Sequence, residues 1–376
     1  MPIQSTPSTL RLLENQPLKP FTTFKIGGPA RYFAHIRTCQ ELLEALQFSH
    51  SEGLPIFVLG GGSNVLISDD GLDALVLHPA NEGIALVHEH SEGVKVSVEA
   101  AEPWDCFVAR AVECNWWGVE NLSHIPGQAG AALVQNIGAY GQQISDVLES
   151  AEVVDLATGE TQTFMKNALG LAYRRSIFNT THRGRYFIAR ITLQLSRKPH
   201  RNLGYSDVRL WFEKLGVQEP SLDQIRQAII AIRDRKFPFP REEKGGNAGS
   251  FFKNLILNEK EYEELEYRFQ AHWNAQVLDR LRAIRDKFPE PSGIKIPTAF
   301  LIEVCGLKGL RVGGAQVNEA QPLVILNQGG ATARDVLTLA RHIRQTIYEK
   351  MGLRVDIEPE LVGFTSEMLN EFLAFE

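Results

Sequence analysis

Apolar residues with helical spacing predict six helices along this chain. They span 39–50, 104–114, 221–236, 258–269, 277–288 and 332–351. The last of these opens with Thr332 and Asp335 at the spacing of a capping box, and Gly352 follows it as a stop signal. The helix over 258–269 carries so many charges that we expect it to be exposed.

Shorter β-branched or alternating apolar runs predict strands. They span 31–36, 56–59, 65–67, 94–100, 151–156, 185–195, 311–317, 323–326 and 353–357. Residues 1–20 have no regular pattern, and we expect a loose lead-in there. Residues 237–240 alternate phenylalanine with proline, which resists both helix and sheet, so we place a domain boundary at this point.

The composition is that of an ordinary globular protein. The 376 residues suffice for two or three domains, with 44% hydrophobic and 22% charged residues. No apolar run reaches the length of a membrane span, and the N-terminus lacks the pattern of a secretory signal. The four cysteines are scattered, which favours a reducing compartment, and a net charge of −6 gives no support for nucleic-acid binding. We therefore expect a cytoplasmic protein without a nucleic-acid or membrane partner.

The stretch 121–141 is rich in glycine and poor in large side chains. Because glycine weakens the interior of helices and strands, we expect a loop whose main chain approaches something closely. An ordinary glycine-rich loop would look the same. A second glycine cluster, 60–62, follows the predicted strand 56–59. Main-chain N–H groups beside small side chains suit phosphate oxygens, so two such loops favour a large cofactor that carries phosphate.

The second cluster is not a dinucleotide-binding fingerprint. The pattern G-x-G-x-x-G would need glycine where Val65 stands, and the residues that follow predict a strand rather than a helix. A nicotinamide site of the Rossmann type is therefore not expected at this loop.

Two later segments place polar side chains beside aromatic ones. Residues 173–178, YRRSIF, form either a solvated basic turn or a clamp for an anion, because arginine holds a carboxylate with two N–H groups. Residues 247–254, NAGSFFKN, offer a hydroxyl, an ammonium and an amide around two phenylalanines, or are only the entry to a strand.

Taken together, these motifs resemble those of the UDP-N-acetylenolpyruvoylglucosamine reductase family (MurB), type I branch. Each motif has modest specificity, but their joint order is highly specific. The resemblance covers the chain from about Phe21 to Val362. The matching segments are GGGSNVLI (60–67), IPG and QNIGAYG within 125–141, YRRSIF (173–178), NAGSFFKN (247–254) and EPE (358–360).

The resemblance implies an α+β fold. An FAD-binding domain of the vanillyl-alcohol-oxidase (PCMH) type, built of two α+β subdomains, would precede an α+β substrate-binding domain. We place the first subdomain at 1–84, with the tail 357–376 as a candidate addition to it. The second subdomain would cover 85–237, and the substrate-binding domain 238–356.

The resemblance also implies a reaction in peptidoglycan precursor synthesis. NADPH would reduce non-covalently bound FAD, and flavin N5 would pass hydride to the methylene carbon of UDP-N-acetylglucosamine enolpyruvate to give UDP-N-acetylmuramate. By motif position, Arg174 stabilises the charge that develops at the substrate carboxylate. Ser250 donates the proton to the neighbouring carbon, and Glu360 polarises the carboxylate. Glu358 would share a strand face with Glu360, so the choice between the two rests on the motif.

Motif position supplies the remaining site residues. Four would surround the sugar nucleotide and its diphosphate: Tyr205, Lys236, Asn254 and Lys295. Lys236 could equally be the cation that satisfies a helix C-terminus. Flavin contacts would come largely from the main chain of two loops, at Gly60, Gly61, Gly62, Ser63, Asn64, Ile125, Pro126, Gly127, Gly130, Gln135, Asn136, Gly138, Ala139, Tyr140 and Gly141. No metal is implied, and a monomer is expected.

Three residues depart from the family pattern. Arg175 stands where aspartate is common, and Leu133 and Leu255 stand where proline is common. These departures affect loop geometry and turnover rather than the reaction class.

Two alternatives stay open on the sequence alone. Another FAD-dependent oxidoreductase of the same fold could tether its flavin through His35, His124 or Cys106. A nucleotide-sugar-binding protein without catalysis would keep the fold, but it would have no evident need of a proton donor at Ser250.

Overall fold

The computed structural model describes residues 10–236, 239, 245–287, 289–290 and 293–375. The chain forms two compact units. The first contains residues up to 17, residues 29–62 and residues 73–235; the second contains 18–28, 63–72 and the chain from Lys236 onward. Two short N-terminal segments therefore belong to the C-terminal unit. The division into three parts stays a prediction, and most of the predicted boundary 237–240 lies outside the described residues.

The described residues form ten α-helices, and the six predicted ones are confirmed to within a few residues at their ends. Phe288, the predicted end of one helix, lies outside the described residues. The helices are α1 (Cys39–Glu52), α2 (Trp104–Glu113), α3 (Ala129–Val134), α4 (Ser206–Leu215), α5 (Leu222–Lys236), α6 (Glu259–His272), α7 (Ala275–Lys287), α8 (Thr298–Val304), α9 (Ala333–Met351) and α10 (Ser366–Leu373). None of these helices is both long and apolar enough to cross a bilayer.

Apart from short 3₁₀ turns, strands make up the rest of the regular structure. In chain order they are β1 (Leu12–Pro17), β2 (Pro29–Ile36), β3 (Ile56–Val58), β4 (Val65–Ile67), β5 (Leu72–Pro79), β6 (Ile84–Glu89), β7 (Gly93–Glu99), β8 (Gly138–Ala139), β9 (Gln142–Gln143), β10 (Leu148–Asp155), β11 (Thr161–Met165), β12 (Tyr186–Ser196), β13 (Leu255–Leu257), β14 (Pro289–Glu290), β15 (Gly293–Ile296), β16 (Arg311–Val312), β17 (Ala315–Val317), β18 (Ile325–Asn327) and β19 (Glu360–Val362).

The first unit is organised around two sheets. One has the strand order β1-β2-β5-β3 and is covered by α1, whose Leu42 and Ala45 pack against Leu75 and Leu77. The other has the order β11-β10-β12-β7-β6, and neighbouring strands in it run antiparallel. Helices α2 and α3 share its core, with Phe107 fully buried. The loop that follows β3 carries the first of the predicted site residues, Gly60 to Gly62.

The second unit contains two three-stranded sheets and one parallel pair. The sheets have the orders β13-β15-β14 and β16-β17-β18, and β19 lies parallel to β4. The long helix α9 supplies much of the core, and Phe24, Ile26 and Leu66 join this core from the two N-terminal segments. At the start of α9, Thr332 and Asp335 exchange the predicted capping-box hydrogen bonds, each 3.0 Å long. Gly352 ends the helix at φ 71°.

Four predicted elements differ from those observed. The lead-in contains β1, which pairs with β2. The predicted strand 311–317 is a hairpin of β16 and β17, because Gly313 takes a positive φ of 53° between them. Helix α6 is not simply exposed: Tyr262, Leu265 and Phe269 form a buried stripe at helical spacing.

The predicted strand 353–357 is absent apart from a single bridge between Phe252 and Ile357. Its carbonyls have partners elsewhere, since Val355 O accepts a hydrogen bond from Arg344 Nε at 2.8 Å and Asp356 O accepts one from Lys253 N at 2.9 Å. Glu358 therefore lies outside the strand that holds Glu360, and the expectation that both acids share one strand face was wrong.

Candidate active site

The two glycine loops of the first unit pack main chain against main chain. A Cβ atom on Gly61 would lie 2.5 Å from Gly127 Cα and 2.9 Å from Gln128 N. A Cβ atom on Gly60 would lie 2.8 Å from the methyl group of Ala131. Larger residues at these positions would push the two loops apart. Part of the close main-chain approach predicted for 121–141 is therefore its contact with the loop 60–62.

These loops fit an FAD. They present small residues and main-chain groups on both sides, as a bound pyrophosphate requires. Gln128 Nε2 donates a hydrogen bond to Pro79 O at 3.1 Å, while its Oε1 is buried and receives no hydrogen bond within the described part of the chain. A buried acceptor of this kind normally has a donor, which a bound cofactor can supply.

The stretch 121–141 is not one continuous loop, because α3 lies inside it. Gly130 makes this helix possible: a Cβ there would meet Ala100 Cβ at 2.8 Å, so only a residue without a side chain lets the helix pack so closely. The stretch also contains non-glycine residues with positive φ, namely His124 at 60°, Asn136 at 45° and Tyr140 at 48°. Such conformations are costly and cluster at functional sites.

A network of buried polar side chains holds the stretch 121–141 in place. Glu120, fully buried, accepts hydrogen bonds from Gly118 N and Gln142 Nε2, both at 2.7 Å. Asn121, also fully buried, donates through Nδ2 to Tyr140 O and to Asn202 O, each at 2.8 Å. The second bond ties the stretch to the loop that precedes Tyr205.

Arg174 lies on a tight turn beside the same stretch. Ala172 and Arg175 exchange two main-chain hydrogen bonds of 3.1 Å, and Arg174 has φ 53°, a position that such turns usually give to glycine or asparagine. Its Nη1 donates to Gly138 O at 3.1 Å. The adjacent Arg175 is exposed. The segment is thus a hydrogen-bonded turn that holds Arg174, but not Arg175, against the glycine-rich stretch.

Tyr205 stands at the start of α4 and makes an edge contact with Tyr140, with ring centroids 5.2 Å apart. Burial raises the pKa of Tyr140 to about 12, so its phenol stays neutral at physiological pH. Tyr140 also hydrogen-bonds the side chain of Arg233.

Helix α5 braces this part of the first unit. Arg233 Nε donates to His124 O at 2.8 Å, and Asp234 Oδ1 lies 2.8 Å from His124 Nε2. Arg226 binds Asp105 with two hydrogen bonds of 2.7 and 3.0 Å. Sequence reasoning missed these residues, although the seven-residue interval between Arg226 and Arg233 places both on one helix face.

The second unit brings Ser250 and Glu360 onto neighbouring segments. Ser250 directly precedes Phe251, whose carbonyl accepts a hydrogen bond from Glu358 N at 2.9 Å. Glu360 N donates to Asn64 O at 2.9 Å, so the end of the glycine loop 60–64 runs beside the predicted acid. Phe251 and Phe252 are buried and fix the segment that carries the hydroxyl.

The other predicted substrate residues of the second unit lie on elements of its core. Asn254 Oδ1 accepts a hydrogen bond from Thr298 N at 3.1 Å at the start of α8. Lys295 is on β15, paired with Ile256 of β13. Lys236 ends α5, and its carbonyl accepts a hydrogen bond from Asn318 Nδ2 at 3.0 Å.

Comparison with known proteins identifies the family. Residues 240–362 match the C-terminal domain of UDP-N-acetylenolpyruvoylglucosamine reductase, and residues 30–164 match an FAD binding domain. A UDP-N-acetylenolpyruvoylglucosamine reductase of Pseudomonas putida is 39% identical over 94% of this chain and 99% of its own length. One of Flavobacterium johnsoniae is 35% identical over 94% of this chain and all of its own length. The chain belongs to the UDP-N-acetylenolpyruvoylglucosamine reductase family.

A solved structure supports the fold. The reductase (MurB) of Thermus caldophilus has a TM-score of 0.63 at 24% identity, and the match covers 94% of this chain and 98% of that one. The predicted α+β fold with an FAD-binding domain and a C-terminal family domain is confirmed. The predicted function, an FAD-containing UDP-N-acetylenolpyruvoylglucosamine reductase of peptidoglycan synthesis, is confirmed over the two alternatives, another oxidoreductase of the same fold and a protein that only binds. The individual site residues stay predictions.

Proposed function

We propose that this protein is an FAD-dependent reductase that converts UDP-N-acetylglucosamine enolpyruvate to UDP-N-acetylmuramate with NADPH, a step of peptidoglycan precursor synthesis. One observation carries the proposal: the guanidinium of Arg174 donates a hydrogen bond to Gly138 O, and Gly138 lies inside the segment that matches an FAD binding domain. A cation held beside a cofactor loop is what a reaction that builds charge on a carboxylate needs.

FAD supplies, when bound, the two-electron chemistry that links NADPH to the enolpyruvyl carbon. The chain's part is to hold it. We assign this task to the main chain of 60–64 and 125–141, where glycines permit close approach and Gln128 offers a buried acceptor. Tyr140, neutral at physiological pH, adds a flat and partly apolar surface to this loop.

Arg174 binds the carboxylate of the enolpyruvyl group. Its guanidinium is oriented before any substrate arrives, since Nη1 already donates to Gly138 O. Orientation in advance lets the cation stabilise developing negative charge without a reorganisation cost at the moment of reaction. The exposed Arg175 makes the surroundings of the turn more basic and favours an anionic ligand.

Ser250 holds the proton that the substrate carbon receives, and Glu360 orients the same carboxylate. A hydroxyl is a weak acid, but a strongly basic enolate-like carbon takes its proton when the two are held in contact. The buried Phe251 and Phe252 limit the freedom of Ser250. Tyr205, Lys236, Asn254 and Lys295 bind the sugar nucleotide and its diphosphate, which lysine ammonium groups and amide donors suit.

Replacement of Ser250 tests the proposal most directly. In Ser250→Ala, NADPH should still bleach the flavin absorbance at an unchanged rate, while reoxidation by the enolpyruvyl substrate slows by about 10²–10⁴-fold. Stopped-flow absorbance separates the two half-reactions. Ser250→Cys, which keeps a transferable proton, should recover part of the rate.

Ser366→Ala is the matched control, because Ser366 is exposed at the start of α10. Reoxidation of the Ser250→Ala enzyme at the parental rate would remove Ser250 from the role. Absence of any reoxidation by substrate in the parental protein would overturn the function itself. The monomeric state and cytoplasmic location stay predictions; light scattering after size exclusion would measure the first.

A further inference from the structure

Both ends of the Asn136 carboxamide are engaged by the protein. Nδ2 donates to Ala172 O at 3.0 Å and to Gln143 Oε1 at 3.3 Å, and Oδ1 accepts a hydrogen bond from Ser145 N at 3.1 Å. The residue is only 2% exposed. A side chain this occupied has little capacity left for a ligand, although its main chain belongs to the predicted cofactor stretch.

Ala172 is the first residue of the turn that carries Arg174. Its carbonyl closes the turn by accepting a hydrogen bond from Arg175 N, and the same oxygen receives the bond from Asn136. Two further bonds join the turn to this stretch: Ser176 Oγ donates to Val134 O at 2.5 Å, and Arg174 Nη1 donates to Gly138 O. Asn136 therefore holds the residue that begins the turn, Ala172, while Ser176 holds the chain just after Arg174 and Arg175.

The turn needs such ties because its backbone is strained. An arginine at φ 53° is energetically unfavourable and persists only where the surrounding structure holds it in place. If the entry of the turn were released, Arg174 could relax toward negative φ, and that rotation would change the direction of its guanidinium.

We propose that Asn136 is a positioning residue that holds the main chain of the 172–175 turn and so keeps Arg174 aimed for the substrate carboxylate. The role rests on the proposed function, in which Arg174 binds that carboxylate. Asn136 acts through Arg174 and has no part in the chemistry itself. Its own positive φ of 45°, which asparagine tolerates better than most residues, lets the carboxamide reach across to Ala172.

Asn136→Gly removes the carboxamide while keeping a residue that accepts positive φ. We expect the parental content of FAD, an unchanged rate of flavin reduction by NADPH, and reoxidation by substrate slowed by about 10–100-fold. Hydrogen exchange of the amides of 172–176 should become faster. Asn115→Gly is the matched control, because Asn115 has φ 56° and is exposed, and it should leave all four measurements unchanged.

A double-mutant cycle with Arg174→Ala separates positioning from a general structural role. If Asn136 acts through Arg174, the Asn136→Gly change should slow reoxidation no further in the Arg174→Ala protein. Equal slowing in both backgrounds, or loss of FAD from the Asn136→Gly protein, would overturn the proposal. A parental rate in Arg174→Ala alone would instead overturn the proposed role of Arg174.

Should Asn136→Gly fail to fold, Asn136→Asp gives the same test. Aspartate keeps the size and the acceptor for Ser145 N but loses the bond donated to Ala172 O. Faster exchange at 172–176 together with slower reoxidation would support the proposal, and parental values of both would overturn it.

Discussion

At the scale of single residues, backbone strain gathers where the reaction is proposed to occur. Among the described residues, seven non-glycine residues have positive φ, and four of them are His124, Asn136, Tyr140 and Arg174. Each is held by hydrogen bonds from distant parts of the sequence, such as Arg233 to His124 O. Strain of this kind is retained where function requires one conformation rather than the most relaxed one.

Gly61 tests the contact between the two glycine loops. Gly61→Ala places a Cβ 2.5 Å from Gly127 Cα, so the loops must separate. We expect a loss of about 1–3 kcal/mol of unfolding free energy and weaker retention of FAD. Urea unfolding and the ratio of flavin to protein absorbance measure the two effects.

Gly204→Ala is the control for this change, because its nearest atom outside the chain neighbours, Asn202 Oδ1, would lie 3.9 Å from the added Cβ. Parental stability and FAD content in Gly61→Ala would show that the loops have room to move and that the close approach is not required.

At the scale of elements, the periodicity of apolar residues predicted the helices whose signals are local in the sequence. Helix α9 was found because its apolar stripe, capping box and terminal glycine are all local signals. Helix α3 was missed because its stability comes from contact with Ala100 rather than from its own composition. The apolar pattern of 353–357 predicts a strand, but although Val355 is buried, the segment has no ladder of hydrogen bonds to the residues that the structure describes and makes only one bridge with them, at Ile357.

The partners of the polar face of α5 could not be predicted from local sequence for the same reason. The partners of Arg226 and Arg233 lie more than a hundred residues earlier, at Asp105 and His124. The candidate catalytic residues could be named only because the motif order resembled a family. What each of them contacts, including the bond from Arg174 to Gly138 O, required the structure.

Arg226→Gln tests whether α5 braces the cofactor stretch. Burial alone would raise the pKa of the Asp105 carboxyl, but hydrogen bonds from Arg226 and from His124 N outweigh it and lower the pKa below its usual range. The pair therefore stabilises the fold above the unfolded-state pKa of about 3.9, and this contribution is lost as the pH falls through the lower folded-state pKa. We expect Arg226→Gln to cost about 2 kcal/mol of unfolding free energy at neutral pH.

The difference between variant and parent should shrink as the pH falls below about 4. Urea unfolding across this range measures it. Arg110→Gln is the control, since the Arg110–Glu113 pair on α2 is exposed and should contribute under about 0.5 kcal/mol. A cost for Arg226→Gln that is equally small at every pH would mean that the Arg226–Asp105 pair does not brace the loop.

At the scale of the whole molecule, the second unit is discontinuous in sequence. Segments 18–28 and 63–72 belong to it, although residues 73–235 of the first unit separate them from Lys236. They supply Phe24 and Leu66 to its core, and β4 is the parallel partner of β19, the strand that begins with Glu360. Periodicity in the sequence did not indicate this exchange, because the pairing joins strands at opposite ends of the chain; only the family resemblance had linked the tail 357–376 with the N-terminal part.

A fragment of residues 236–376 should therefore not fold by itself. It lacks the partner of β19 and several buried apolar side chains, and each missing large side chain costs about 2–5 kcal/mol, against a total stability of about 5–15 kcal/mol for a typical domain. A second chain, in which 18–28 and 63–72 are joined by glycine-serine linkers to the start of 236–376, should restore cooperative thermal unfolding by circular dichroism. Cooperative unfolding of the shorter fragment would show that the second unit folds without the two N-terminal segments. Unfolded behaviour of both chains would mean that the second unit also depends on the first, so that Ser250 and Glu360 take their positions only in the complete protein.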